Sequence, residues 1–245
     1  MDVEFLRPVA EPPDQLHSRG TEATDELAVF AGLGPGMRVL DVGAGLGGSA
    51  RHLATHYGVH VTGIEISADL VRRAPRLTSR IGLAGRVEFK RGNAISAPFP
   101  MHAFECVWIQ HVLSYVTDKG RLFAELRRIL VPAGVLALHE IVALDVHAVR
   151  YPLPWARSPL THFPPSPRRL RTAVESAGFT LREWRDTTAA ARDWWREAAR
   201  GVDDDPSACW PAFLGPDAGV MLDNLVLNLE EGRLGVAIAV FDRVP

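Results

Sequence analysis

A glycine-rich segment at residues 39–48 is the part of the sequence whose composition points most directly to chemistry. It reads Val-Leu-Asp-Val-Gly-Ala-Gly-Leu-Gly-Gly, an apolar strand that runs into a turn and then opens a helix. Gly43, Gly45 and Gly48 satisfy the dinucleotide-binding spacing G-x-G-x-x-G, which is weakly specific when it stands alone. Glycine permits positive φ and a close approach of a ligand to the main chain. The helix N-terminus that follows offers unpaired N–H groups to an anionic part of that ligand.

Two carboxylates narrow the choice of ligand. Asp41 precedes the first glycine, where it would face the middle or a cationic end of the ligand and would repel a pyrophosphate. Glu65 ends the second apolar run, 20 residues after Gly45, a spacing that suits hydrogen bonds from a ribose diol. The pair favours a nucleoside that has free ribose hydroxyls and a terminus with both positive and negative charges. S-adenosylmethionine has this shape. NAD is the competitor, and Asp41 is the feature that disfavours it.

Three further patterns follow the glycine segment in order: Val-Thr-Gly-Ile-Glu-Ile-Ser at 61–67, a strand and turn at 87–94, and a helix end with Pro-Ala-Gly at 126–134. With residues 39–47 they resemble the motifs of class I S-adenosylmethionine-dependent methyltransferases of the small-molecule branch. The resemblance implies S-adenosylmethionine as the cofactor and a small molecule as the acceptor. The cofactor-binding residues that it implies are Asp41, Gly43, Ala44, Gly45, Glu65, Ile66, Asn93, Ala94 and Gln110. Asn93 stands where many members of the family have aspartate, and its carbonyl can still accept from the adenine amino group.

Polar residues after the fourth and fifth predicted strands are the candidates for catalysis. Methyl transfer from a sulfonium is an in-line displacement, so the protein mainly aligns the reactants and excludes water. His111 is the leading candidate for a general base, because its ordinary pKa of ~6.5 lies near working pH; a role as a wall of the pocket is the alternative. Glu140 is the second candidate and could instead orient a substrate cation. His162, alone in a loop, is interpreted as a surface residue.

Residues 151–156, Tyr-Pro-Leu-Pro-Trp-Ala, resemble a segment of the sarcosine and dimethylglycine type of N-methyltransferase. Tyr151 and Trp155 are therefore candidates to bind a methylammonium by cation–π attraction, and an ordinary hydrophobic plug is an equal alternative. The resemblance favours an amine nitrogen as acceptor. O- or C-methylation of a natural-product intermediate, an NAD-dependent oxidoreductase and a non-catalytic nucleoside-binding protein are the other hypotheses.

These side chains need a framework that brings strand ends together. Apolar runs of strand length occur at 37–42, 59–64, 86–90, 104–109, 135–141, 179–185 and 234–241, with helical stretches between them. This alternation predicts an α/β protein with a mostly parallel sheet covered on both faces. The predicted fold is Rossmann-like and doubly wound, with seven strands, an antiparallel last strand and a helical cap. Ser67 and Ser166 are predicted to cap the helices that follow them.

Length and composition set the remaining expectations. The 245 residues predict a single methyltransferase domain, 1–245, with lid elements at 1–35, 142–166 and 187–232. The net charge of −2 argues against nucleic-acid binding through a basic field. Two cysteines exclude a disulfide framework, no metal-ligand constellation is visible, and no apolar run reaches the ~18 residues of a membrane span. A cytoplasmic location is the default, and a homodimer is one option for an assembly that the sequence does not define.

Overall fold

A computed structural model of the protein describes residues 15, 17–144, 147–204, 210 and 214–244. The strands are β1 (Arg38–Val42), β2 (His60–Glu65), β3 (Val87–Arg91), β4 (Phe104–Gln110), β5 (Leu130–Ala143), β6 (Phe179–Asp186) and β7 (Leu234–Arg243). The helices are α1 (Gly20–Ala31), α2 (Gly48–Tyr57), α3 (Ala68–Arg80), α4 (Lys119–Ile129), α5 (Pro167–Ser176), α6 (Thr188–Asp204) and α7 (Ala218–Glu230). Within these described ranges no helix has both the length and the apolar character needed to cross a membrane.

The seven strands form one sheet in the order β3-β2-β1-β4-β5-β7-β6. The pairs from β3 to β5 are parallel, whereas β7 runs antiparallel to both of its neighbours. β1 lies between β2 and β4, so the strand order reverses beside it. This confirms the predicted fold and places the carboxyl ends of β1, β2 and β4 around one crevice, where ligands bind in sheets of this kind.

Both faces of the sheet are buried, which explains the nearly continuous apolar runs of the strands. Successive strand residues point to opposite faces. Val39 packs against Leu53 of α2 on one face, and the next residue, Leu40, belongs to the cluster that includes Leu126 of α4 on the other face. A parallel strand with helices on both sides therefore needs apolar residues at consecutive positions.

Side-chain caps fix where two of the helices begin. The hydroxyl of Ser67 accepts a hydrogen bond from the Leu70 N–H, directly after β2. Ser166 accepts from the Arg169 N–H, and Pro167 occupies the first helical position. Both caps confirm the sequence predictions, since serine at this position satisfies an otherwise unpaired helical N–H.

A helical cap covers the carboxyl end of β5 and the adjacent amino end of β7. We use "the cap" for residues 147–166, α6 and α7. Trp195 of α6 and Leu222 of α7 pack with Ile141 of β5 in a cluster separate from those on the two faces of the sheet. Among the predicted lid ranges, 1–35 contains α1, which packs Leu27 into the core. Residues 1–14, 16, 145–146, 205–209 and 211–213 of these ranges lie outside the described residues, so closure over the site stays a prediction.

Candidate active site

A cavity of about 860 Å³ lies at the carboxyl ends of the strands, where the strand order predicts a ligand. One part, the cofactor half, is contributed by β1, β2 and the turns after β1, β2 and β3. The other part, the acceptor half, is contributed by residues before α1, by the ends of β4 and β5 and by the cap. The residues of the acceptor half used below are His17, His111, Ile141, Pro154, Trp155, Trp195, Trp210 and Leu214.

The glycine turn gives the cofactor half its shape. Gly43 has φ 71°, and a Cβ atom built there would lie 2.5 Å from Cγ2 of Val112, so no side chain fits. Gly45 also has positive φ, at 57°, but a Cβ atom there would meet nothing closer than 3.9 Å. The main chain at Gly45 is therefore open to the cavity, as a close backbone contact with a ligand requires.

Glu65 is held at the edge of the glycine turn by main-chain donors. Its Oε2 accepts from the Gly45 N–H at 3.1 Å, and its Oε1 accepts from the Ser67 N–H at 2.8 Å. Each carboxylate oxygen has two acceptor sites, so one site on each oxygen remains for a ligand. This fixed carboxylate lines the cavity, as the spacing of Glu65 from the glycines predicts for a group that binds ribose hydroxyls.

Asp41 is a buried carboxyl group with an unused oxygen. It lines the cavity with only 4% of its surface exposed, and its Oδ2 has no hydrogen-bond partner among the described residues. Burial raises the pKa of Asp41 to about 8, and the nearby charge of Glu65 adds to the rise. A buried acid in this state is stabilised by a positive charge placed beside it, which is the ligand end that the sequence predicts.

Asn93, Ala94 and Ile66 also line the cofactor half. The Asn93 Oδ1 accepts from the Ile95 N–H at 3.2 Å and caps the short helical turn that Ala94 begins. Ile66 is 66% exposed, which is unusual for an isoleucine and provides an apolar surface on which a flat ring can lie. These positions fit the predicted adenine-binding turn, and their role in binding stays a prediction.

Gln110 connects the end of β4 to two helices. Its Oε1 accepts from the Ser49 hydroxyl and from the Trp108 indole N–H, both at 2.8 Å, and its Nε2 donates to the Thr24 hydroxyl at 3.3 Å. Both ends of the amide are thus engaged by the protein, although the side chain lines the cavity. The predicted contact of Gln110 with the cofactor would use the remaining amide hydrogen.

His111 stands at the boundary between the two halves of the cavity. Its backbone takes the left-handed region, with φ 55°, and its N–H donates to the carbonyl of His139 at 2.9 Å. Its ring lies 4.9 Å from that of His139 and 6.0 Å from that of His17, measured between centroids. Burial lowers the pKa of His111 well below its ordinary value, and the charge of His17 acts in the same direction. His111 is therefore neutral at working pH.

A short hydrogen-bond chain connects His111 to Trp195 through Ser18. The Trp195 indole N–H, which can only donate, bonds to the Ser18 Oγ at 2.9 Å. The same Oγ lies 3.4 Å from the His111 Nε2, and because a hydroxyl has one hydrogen and two acceptor sites, it can pair with either tautomer of the neutral ring. Sequence reasoning missed Ser18.

Glu140 lies behind the loop that follows β4. Its Oε1 accepts from the N–H groups of Val112 and Leu113, at 2.9 and 3.1 Å. Burial raises the pKa of Glu140 to about 8 in spite of these two donors. Glu140 is not among the described residues that line the cavity, so the observed contacts support the loop that carries His111.

The histidines of the site do not form a metal centre. His139 is fully buried, and neither of its ring nitrogens has a partner in the described ranges. The Nε2 of His17 lies 2.9 Å from the Gln15 Oε1, which occupies that nitrogen. Across the part of the chain that the structure describes, no group of three or more metal-ligating side chains is arranged to hold an ion.

Tyr151 and Trp155 are joined through a buried histidine. The Trp155 indole N–H donates to the His162 Nε2 at 3.1 Å, so the proton of neutral His162 is on Nδ1, 2.9 Å from the Tyr151 hydroxyl. Trp155 lines the cavity, whereas Tyr151 is not among the described lining residues. The interpretation of His162 as a surface residue is wrong, because only 5% of it is exposed. Tyr151 and Trp155 belong to the same proline-rich segment as His162, residues 150–167. Their contacts with this histidine are not visible from spacing alone.

Comparisons with known proteins agree with this geometry. Residues 40–138 match the sequence model of a family described as a methyltransferase domain. A sterol 24-C-methyltransferase of Gibberella zeae is 35% identical over 121 residues, covering 49% of this chain and 32% of that protein. A glycine/sarcosine/dimethylglycine N-methyltransferase of Actinopolyspora halophila is 31% identical over 134 residues, covering 55% and 24%. The chain thus spans about a third or less of the length of these two curated relatives.

One solved structure matches nearly the whole chain. The (4+2) cyclase SpnF superposes with a TM-score of 0.80 at 25% identity, over 98% of this chain and 92% of that one. The matches agree with the resemblance of the four motifs, and the matched proteins include C- and N-methyltransferases as well as a cyclase. They leave the acceptor atom open.

Proposed function

We propose that this chain, whose residues 40–138 match a methyltransferase-domain family, is a class I S-adenosylmethionine-dependent methyltransferase that transfers a methyl group from that cofactor to a small molecule. The observation that carries the proposal is Asp41, a buried carboxyl beside the glycine turn with an unpartnered Oδ2. Such a group favours a cationic ligand, and S-adenosylmethionine has a sulfonium and an ammonium. NAD would bring a pyrophosphate to the same place, where it would keep Asp41 protonated and gain no ion pair from it.

The residues of the cofactor half divide the binding of S-adenosylmethionine between them. Glu65, already oriented by two N–H donors, accepts from the ribose hydroxyls. Gly43 and Gly45 keep side chains out of the space that the cofactor takes, and Asp41 compensates its positive end. Asn93 and Ala94 receive the adenine, with Ile66 against the face of the ring. When bound, the cofactor supplies an electrophilic methyl group.

His111 is the proposed proton acceptor. With the hydrogen of its Nε2 donated to the Ser18 Oγ, neutral His111 has an unprotonated Nδ1, which can take a proton from an acceptor that loses one during transfer. The lowered pKa of His111 makes it a weak base, so it does not remove the proton of an alkylammonium, whose pKa is ~10. A role for Glu140 as a second base requires movement of the loop that it holds. The acceptor therefore reaches the methyl group uncharged, or with a weakly held proton.

Nitrogen is the acceptor atom that the sequence resemblance favours, and oxygen and carbon are the alternatives. The matched relatives include a sterol C-methyltransferase and an N-methyltransferase, so the family does not decide between the atoms. With the constraint set by His111, the nitrogen would belong to an amine that is neutral at working pH.

A second function has a specific observation in its favour. The structural match to the (4+2) cyclase SpnF extends over almost the full length of both chains. A cavity with an apolar wall can also fold a flexible apolar molecule into a reactive shape, which accelerates a ring closure by positioning alone. On this alternative the cofactor half binds its nucleoside, and no methyl group is transferred.

Labelled cofactor separates these functions. The full chain is incubated with methyl-labelled S-adenosylmethionine and a panel of amines, phenols, alcohols and polyenes, and the extracted products are counted. Label in a product supports the proposal, and an unlabelled cyclised product supports the alternative. In parallel, S-adenosylhomocysteine at ~100 times its dissociation constant should stabilise the fold by ~2.7 kcal/mol. Stabilisation by NAD without stabilisation by S-adenosylhomocysteine would overturn the cofactor assignment.

A further inference from the structure

We propose that the acceptor is an uncharged, largely apolar molecule with a rigid or cyclic skeleton, bound against Trp155 in the acceptor half. This inference rests on the proposed methyl transfer for the reaction. It concerns binding, however, and can be tested without any turnover. It separates the site from one built for a small zwitterion such as dimethylglycine, which the resemblance of residues 151–156 suggests.

The walls of the acceptor half are apolar and backed by the core. Ile141, Pro154 and Leu214 line it together with Trp155 and Trp195. Trp195 is 1% exposed and packs on Trp210, with ring centroids 5.2 Å apart, so these two rings back the wall from the core. Trp155 is only partly buried, and its ring is the aromatic surface available to a planar or cyclic ligand.

The polar atoms of the two tryptophans point away from any ligand in this space. The Trp155 indole N–H is bonded to His162, and that of Trp195 is bonded to Ser18. Neither His162 nor Ser18 is among the described residues that line the cavity. The protein therefore satisfies the donors of both tryptophans, and Trp155 presents ring surface to the cavity.

Charged partners for an acceptor are missing from the described lining. Those residues include no lysine or arginine that could pair with a carboxylate or a phosphate. The carboxylates among them are Asp41 and Glu65, in the cofactor half, and Asp118, which caps α4. His17 and His111, the ionisable groups of the acceptor half, both have pKa values lowered by burial and are neutral.

Geometry also disfavours a cationic acceptor. An in-line transfer requires the acceptor atom about 3–3.5 Å from the methyl carbon. A permanent cation so close to a sulfonium would be repelled, and the cost would be high in a water-poor cavity. Trp155 could attract a cation through its ring face, but Tyr151, the second member of the predicted pair, is turned to His162. The two rings therefore do not enclose a methylammonium.

Three probes that share a naphthalene ring and differ in charge test this inference. Naphthol, naphthoate and naphthyltrimethylammonium are titrated into the full chain saturated with S-adenosylhomocysteine, and binding is followed calorimetrically. We expect naphthol to bind at least tenfold more tightly than either charged probe. Equal affinities, or tighter binding of the cation or the anion, would overturn the inference. This comparison uses the unaltered protein, so it does not depend on the folding of a variant.

A matched pair of variants locates the binding. Trp155→Ala should weaken naphthol by tenfold or more and leave the affinity for S-adenosylhomocysteine unchanged. Trp194→Phe is the control, because Trp194 lies in the neighbouring aromatic cluster but not among the described lining residues, and it should change neither affinity. Unchanged naphthol binding in Trp155→Ala would place the neutral ligand elsewhere and contradict the inference.

The outcomes also separate the inference from the proposed function. Tight naphthol binding with no methylation of any neutral acceptor would leave the ligand class intact and count against methyl transfer. Methylation of dimethylglycine with no affinity for naphthol would support methyl transfer and contradict the inferred ligand class.

Discussion

Asp41 is expected to lose a proton when the cofactor binds. In the cofactor-free protein, burial holds its pKa at about 8, so the carboxyl group is mostly protonated at pH 7. A cationic ligand end beside it favours the carboxylate and lowers that pKa. Binding of S-adenosylmethionine at neutral pH must therefore release a proton from this position, and Asp41→Asn removes the effect.

The size of the effect follows from the pKa. With a value of 8 in the free protein and a value well below 6 in the complex, binding releases about 0.9 proton at pH 7, about 0.5 at pH 8 and about 0.1 at pH 9. The penalty for deprotonation at pH 7 is about 1.4 kcal/mol. The cofactor should therefore bind roughly ninefold more tightly at pH 7 than at pH 6, a range in which its ammonium group, with a pKa of ~7.7–8.0, stays mostly charged.

Calorimetry measures this release directly. The binding enthalpy is recorded at pH 7 in two buffers of different ionisation enthalpy, and the difference gives the number of protons. Asp41→Asn should show no release and a flat pH dependence, with weaker binding than the unaltered chain at pH 9. The reasoning fails if the unaltered chain releases no proton at pH 7, or if the variant releases as many.

Asp41→Asn should weaken cofactor binding without destabilising the fold, so a loss of binding in this variant can be distinguished from unfolding. A carboxyl whose pKa is raised on folding stabilises the fold fully below its unfolded value of ~3.9, and that contribution is lost as the pH rises through 8. Asparagine has no ionisable proton in this pH range. Cofactor-free Asp41→Asn should therefore be at least as stable as the unaltered chain at pH 8 in urea unfolding.

Three further substitutions test other parts of the site. Glu65→Gln turns an amide donor toward the N–H of Gly45 or Ser67 and should weaken S-adenosylmethionine by about 10- to 100-fold, since hydrogen bonds to charged groups contribute about 1.5–3 kcal/mol; unchanged affinity in calorimetry would remove Glu65 from the ribose site. Ser18→Ala leaves the His111 Nε2–H without its acceptor and should lower kcat about tenfold while the cofactor Kd stays constant, with partial rescue by Ser18→Thr; a loss confined to cofactor binding would contradict the assignment of a base. Gly43→Ala, whose Cβ would lie 2.5 Å from a Val112 methyl, should cost about 1–3 kcal/mol in urea unfolding, and an unaffected midpoint would refute the close packing of this turn.

The sequence predicts the parts of the site that are local or set by topology. The glycine turn and Glu65 follow from spacing, because a strand, a tight turn and a helix N-terminus lie in one short segment. The position of His111 follows from strand order, since parallel strands that flank a reversal end at the same crevice. These features need no knowledge of distant side chains.

The acceptor half depends on contacts between distant segments, which a single sequence does not encode visibly. Ser18 meets His111 across 93 residues and Trp195 across 177 residues. His162 is buried beside the rings of Tyr151 and Trp155. The residues next to it in the sequence do not indicate these two partners. The signal available in the sequence was the clustering of four of the six tryptophans, at 155, 194, 195 and 210, in the predicted lid ranges.

Product analysis by mass spectrometry tests the central claim most directly. The full chain is given S-adenosylmethionine with a deuterated methyl group and a neutral acceptor that binds it. The account predicts a product that carries the intact deuterated methyl group, formed in equal amount with S-adenosylhomocysteine and strongly reduced in Asp41→Asn. An acceptor that is cyclised or unchanged, with S-adenosylmethionine intact, would contradict methyl transfer by this chain.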